Sequence, residues 1–171
     1  GPNSDDGRDA AVNGSSALGT AGDTNLDSLV DIYGTVDAAV LEFEIVSSNA
    51  FVLQFQYIYT SEEYPEFIGQ HNDPMAIFVS TNRLGTNWIN TITNDIALIP
   101  GTNQPVSVNN INGGYPPDGI PPNNSQYYVD NGDPANSTNA SSFNIQYDGM
   151  TVLLRAQAQV SANVTNHIKI A

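Results

Sequence analysis

Hydrophobic and polar positions alternate with a period of two along several stretches of this chain, and that alternation predicts strands. From Ala38 to Val46, Leu41, Phe43 and Ile45 fall on one face and Glu42 and Glu44 on the other. Phe51 to Tyr59 repeats the pattern, with Phe51, Leu53, Phe55, Tyr57 and Tyr59 opposite Gln54 and Gln56. Met75 to Ser80 is instead a continuous apolar run, the mark of a central strand buried on both faces. Further strands are predicted at Ile96 to Ile99, ending on the turn signal Pro100-Gly101, at Val106 to Ile111 and at Phe143 to Tyr147. After the turn Asp148-Gly149, Thr151 to Val160 alternates through Val152, Leu154, Ala156, Ala158 and Val160. His167 to Ala171 closes the chain, with Ile168 and Ile170 inward and His167 and Lys169 as a polar outer face. Only Leu26 to Ile32, with Asp27 and Asp31 four apart, reads as a turn or two of helix. Many short strands, long polar loops and no repeat of roughly 20 to 50 residues predict an all-β fold, an antiparallel β-sandwich of jelly-roll type.

The segments between strands are distinctive too. Residues 1–25 are mostly Gly, Ser, Asn, Asp and Ala and read as a polar arm or surface loop. Asp5, Asp6 and Asp9 around Gly7 resemble a calcium loop but lack the distal Glu of an EF-hand. Residues 112–142 hold Gly113-Gly114, Pro116-Pro117 and Pro121-Pro122 and read as one long surface loop, with a brief strand at Tyr127 to Val129. A loop of that length inside a compact domain is usually functional or decorated.

Composition narrows the function classes. The 171 residues are enough for a single domain with a real core. Eighteen acidic residues against four Lys and Arg give a net charge of −14, which excludes nucleic acid and anionic membranes as partners. It suits a secreted protein in a divalent-rich or salty medium. There is no cysteine, hence no disulfide framework or thiol chemistry. No apolar run approaches the roughly 18 residues of a membrane-crossing helix, and no signal peptide is visible. The opening Gly-Pro-Asn reads as the start of a mature or trimmed fragment. Sequons at Asn13, Asn123, Asn136, Asn139 and Asn163 are candidate glycosylation sites.

The densest candidate chemistry lies between Tyr57 and Val79. An aromatic strand runs into Glu62, Glu63 and Glu66, turns through 69–74, and a second apolar strand leaves. No Lys or Arg lies between Phe43 and Asn82, so carboxylates this crowded call for a bound cation, and calcium is the expected one. Neighbouring residues of an extended strand face opposite ways, so Glu62 and Glu63 cannot share one ion unless the chain turns, as Pro65 invites. The expected ligands are Glu62 or Glu63 with Asp73 and Asn72, completed by backbone carbonyls. His71 reads as an ordinary exposed loop histidine, and two distant His residues without Cys disfavour zinc. Trp88, Tyr115, Tyr127 and Tyr128 are candidate ligand-binding aromatics, able to stack on sugar rings. Two of the carboxylates could form a glycosidase pair, but no second signal joins them, and there is no Gly-x-Ser-x-Gly elbow or Gly-rich phosphate loop. No catalytic residue is assigned. Lys169, the single lysine, could form an isopeptide crosslink to an Asn or Asp only if buried beside a carboxyl acid.

Ser-Glu-Glu-Tyr-Pro-Glu-Phe at Ser61 to Phe67, then Asn72-Asp73, then Ile96 to Pro105 (Ile-Ala-Leu-Ile-Pro-Gly-Thr-Asn-Gln-Pro), resemble the choice-of-anchor L domain, as do Tyr147 to Gly149 and His167 to Ala171. The resemblance spans most of the chain. It implies a secreted, surface-anchored prokaryotic module and carries no known chemistry. The family pattern continues past the equivalent of His167 to Ala171 into a further acidic segment and a final apolar strand. Terminal strands are therefore expected to be missing here, lying beyond the ordered part or supplied by neighbouring copies. The resulting expectation is an extracellular structural or adhesive module, a self-assembling filament subunit with calcium-stabilised loops. A carbohydrate-binding module and a calcium-dependent glycan-active enzyme are the alternatives, with identical subunits, surface glycans or proteins as partners.

Overall fold

The structure, a computed structural model, describes residues 18–30, 34–84, 86–89, 94–132, 143, 145 and 147–171. The strands are β1 (Leu41–Val46), β2 (Phe51–Tyr57), β3 (Thr60–Ser61), β4 (Pro74–Met75), β5 (Ile77–Ser80), β6 (Arg83–Leu84), β7 (Asn87–Trp88), β8 (Val106–Ser107), β9 (Tyr128–Asp130), β10 (Gly149–Thr151), β11 (Leu154–Val160) and β12 (Thr165–Ile170). One four-residue helix, α1 (Thr24–Asp27), joins them. The fold is all-β and its ladders are antiparallel, as the alternation predicts. Some boundaries differ. The predicted strand 151–160 divides into the end of β10 and β11, while 106–111 keeps only two strand residues before a turn. The predicted strand at 96–99 shrinks to a single bridge, Leu98 to Pro105. Of 143–147, the described residues 143, 145 and 147 are not strand, and the others lie outside the description.

The chain gathers into two compact units. One holds 58–73 and 107–153, where β10 pairs with β3 on one side and β9 on the other. Its centre is Tyr64, fully buried, as are Val108 and Ile111. The Tyr64 hydroxyl donates to the Ile111 carbonyl at 2.6 Å, and its ring lies 5.0 Å from that of Tyr128. Gly149 is glycine for lack of space: a Cβ there would meet the Tyr64 ring at 2.5 Å. The loop 107–124 is latched by asparagine side chains rather than by a ladder. The Asn112 amide donates to the carbonyls of Val108 and Asn109, while its oxygen accepts from Gly114 and Asn123. Asn123 and Asn124 donate to Asn109 and Asn110. Short amides that bond backbone locally replace the ladder that Gly- and Pro-rich sequence cannot form.

The other unit holds 19–57, 74–106 and 154–171. Strand β12 is central in the order β1-β12-β5, pairing Leu41 with Ile170 on one side and Ile77 with Ile170 on the other. One face, through Ile77, Ile168, Ile45 and Val79, packs with Leu53, Phe55, Tyr57 and Ala156 of the β2–β11 ladder. Buried Asp95 completes this core: its Oδ1 accepts from Ile77 N–H at 3.0 Å and Ala97 N–H at 2.9 Å. Phe78 faces the opposite side, where it packs with Leu26 of α1 and Ala76. That explains the unbroken apolar run of β5, which has a core on each face.

His167 and Lys169 share this second face, and both are buried, contrary to the polar outer face their alternation predicts. Residues 21–29 and 36–38 supply cover for it. Ala21 bridges Val36, Asp23 caps α1 by accepting from Asn25 and Leu26 N–H, and Leu26 packs on Phe78. Trp88 stacks on His167 at 4.9 Å with its indole N–H donating to Glu44.

Replacing Asp95 with Ala strands two buried N–H groups and should cost about 1–3 kcal/mol in denaturant unfolding. Asp95→Asn keeps the accepting oxygen and removes a carboxylate whose burial already holds its pKa up, so it should cost much less, or stabilise at neutral pH.

Candidate functional site

The Ser61–Phe67 heptad does not form an extended carboxylate display. It folds into a turn, with a cis bond between Tyr64 and Pro65, because the Tyr64 side chain goes inward to Ile111 and Gly149. Ser61 fixes the entry, its hydroxyl accepting from Glu63 N–H at 3.0 Å. The exit is held by Asn109: its side-chain oxygen accepts from Gly69 N–H at 2.7 Å, and its own N–H donates to the Asn72 side-chain oxygen at 2.9 Å. The Tyr59 hydroxyl and Val108 N–H both donate to the Asp73 carbonyl. The entry of the turn is thus fixed locally and its exit is tied to residues far along the chain.

This turn separates the acidic residues into different surroundings. Glu63 and Asp73 come together: burial raises the Glu63 pKa first, the Asp73 carboxylate raises it further, and His71 opposes both. Burial likewise raises Asp73, with His71 again opposing. Glu66 faces elsewhere, adding to the charges that, after burial itself, hold the Tyr128 hydroxyl protonated. Glu62 is half-buried. Of the four expected metal ligands, the structure therefore couples Glu63 and Asp73, while the Asn72 side-chain oxygen already serves Asn109. Among the described residues no group of three or more His, Asp or Glu side chains converges as a cage. The Glu63–Asp73 pair can give an ion two hard-oxygen ligands, and the remainder of a calcium shell would have to come from water or backbone carbonyls. His71 is exposed, its ring 5.3 Å from Phe67.

The expected ligand-binding aromatics do not gather in one unit. Trp88 is engaged with His167 and Glu44. Tyr128 packs on Tyr64, and a Cβ on Gly113 would meet its ring at 2.9 Å. Tyr115 and Tyr127 are half-buried in the asparagine-latched loop. Among the sequons, Asn163 is exposed at the β11–β12 turn with a left-handed φ of 58°, while the Asn123 side-chain nitrogen donates to Asn109 at 3.0 Å. Asn13, Asn136 and Asn139, with Asp5, Asp6 and Asp9, lie outside the described residues. Sequence reasoning missed Asn109, which holds the exit of the turn, and Asn112, which latches the loop that carries Asn109. Their one signal was an unusual density of Asn where Gly and Pro forbid a ladder.

The sequence model of the choice-of-anchor L domain matches residues 1–171, so the chain belongs to the choice-of-anchor L domain family. Membership makes it a surface-associated module. No curated protein and no solved structure matches the sequence.

Since the folded state keeps protons on Glu63 and Asp73 to higher pH than the unfolded chain does, their contribution is most favourable below the ordinary carboxylate range and is lost as pH rises through it. In calcium-free buffer, Glu63→Gln should therefore raise the melting temperature at neutral pH, with the gain vanishing in acid. Thermal scans across pH check it.

Proposed function

We propose that this chain is a non-catalytic structural unit of an extracellular surface, which assembles with copies of itself through open strand edges and uses calcium to neutralise Glu63 and Asp73. The observation that carries this reading is the state of β1 and β2. Among the described residues β1 pairs with β12 alone and β2 with β11 alone. Their large apolar side chains point out: Leu41 is 59 % exposed, Val46 68 % and Val52 57 %. An edge strand with unpaired backbone and exposed aliphatic side chains is a template for another strand. A single-sign charge of −14 would repel like copies, which makes a divalent cation a natural condition for assembly.

The inward use of Tyr64 supports the same reading. The residues most typical of the family are engaged in holding the turn together. Trp88 and Tyr128, needed by a carbohydrate-binding module, are likewise occupied by His167 and Tyr64, which favours the structural reading over that alternative.

Light scattering and electron microscopy with and without calcium test the proposal. Wild-type chain should form regular particles in calcium. Val46→Lys combined with Val52→Lys places charge on both edges and should leave monomers with a nearly unchanged melting temperature. Wild-type chain that stays monomeric at every calcium concentration would contradict self-assembly.

A further inference from the structure

Lys169 is 5 % exposed on the central strand β12, opposite Glu42 of β1 and Phe78 of β5. Its Nζ lies 2.6 Å from the Asn25 side-chain oxygen, 2.5 Å from Asp23 Oδ2 and 3.7 Å from Glu42 Oε1. A buried lysine held against a side-chain amide, with a carboxylate touching the same nitrogen, is the arrangement that amide exchange between two side chains requires. We propose that Lys169 and Asn25 form an intramolecular isopeptide bond, with Asp23 as the proton-transfer group.

Geometry gives each residue a role. Asp23 is oriented by α1: its Oδ1 accepts from Asn25 and Leu26 N–H, which leaves Oδ2 on the lysine. Asp23 Oδ2 takes a proton from the Lys169 ammonium, and the freed nitrogen lone pair attacks Asn25 Cγ. The new N–C bond forms, the proton held by Asp23 passes to the Asn25 amide nitrogen, and the Cγ–Nδ2 bond breaks to release ammonia. The second proton of the attacking nitrogen passes to Asp23 Oδ2 and from there to the departing ammonia, which leaves as ammonium. The step is a transfer between nitrogens and needs no oxidant, reductant or other reactant. Asn25 is the acceptor rather than Asp23 because a neutral amide carbonyl accepts a nucleophile far more readily than a carboxylate paired with a cation. Glu42 is half-exposed and marks the side open to solvent, where ammonium can leave.

The bond would join positions 144 apart and lock residues 23–25 onto the middle strand of the sheet. A link that closes so long a loop restricts the unfolded chain and, lying across a strand, resists pulling. In a chain with no cysteine it would be the covalent reinforcement that a surface module otherwise lacks.

Trypsin cuts after Arg and free Lys, and this chain has Arg8, Arg83, Arg155 and Lys169. The folded wild-type protein is denatured, digested and sequenced by tandem mass spectrometry. The proposal expects peptide 9–83 joined to 156–171, uncut after Lys169 and lighter than the sum by one ammonia. The joined peptide is the decisive signal, because Asn-Gly pairs at 13–14, 112–113 and 131–132 can lose ammonia alone by cyclising. Asn25→Asp and Lys169→Arg should each abolish the joined species, and Asp23→Ala should slow or stop its formation. Separate peptides with cleavage after Lys169 would show an ion pair only and overturn the proposal. A peptide joined through Asp23 with loss of water would overturn the assignment to Asn25.

Discussion

A shortage of positive charge governs this structure. Eighteen carboxylates share four Lys and Arg residues, so a carboxylate that folding buries must find another way to be stabilised. Asp95 takes two backbone N–H groups. Asp23 takes two more at the start of α1 and the single lysine besides. Glu63 and Asp73 show neither: desolvation works against both charged forms, the Asp73 carboxylate works further against that of Glu63, and His71 is the opposing influence. The first two carboxylates are anchors of the fold. The last pair is where we propose that an external cation binds.

The same economy appears in how backbone groups are satisfied. The loop 107–124 is too rich in Gly and Pro for a ladder, so Asn112, Asn123 and Asn124 supply its donors and acceptors, and Asn109 with Asn72 ties the turn that carries Glu63 and Asp73 to it. Tyr64 pins that turn from within. Rigidity of this kind, made from neutral side chains, suits a module on an exposed surface, because it does not depend on salt-sensitive ion pairs.

Period-two alternation made β1, β2, β11 and β12 legible, and the apolar run 75–80 announced a strand covered on both faces. The same alternation misplaced His167 and Lys169, because it reports which residues share a face and says nothing of what covers it. The cover came from residues 21–29 and 36–38 and from Trp88, segments whose composition reads as loop. The acidic turn was visible as a cluster, yet its partition was not. Whether Glu62, Glu63 or Glu66 meets Asp73 depends on where Tyr64 goes, and Tyr64 is directed by Ile111 and Gly149, far along the chain. Family membership was legible because the heptad is a packing motif, and packing motifs leave a contiguous signature.

The central proposal is that Glu63, partly buried, and Asp73 beside it are the acidic pair among the described residues that an outside cation neutralises. Differential scanning calorimetry in excess calcium and in EGTA tests it most directly, run on wild type and on Asp73→Asn. The account predicts that calcium raises the wild-type melting temperature, since an ion bound only by the folded state stabilises it by mass action, and that the rise largely disappears in Asp73→Asn. An identical midpoint for the wild type in both buffers would contradict it.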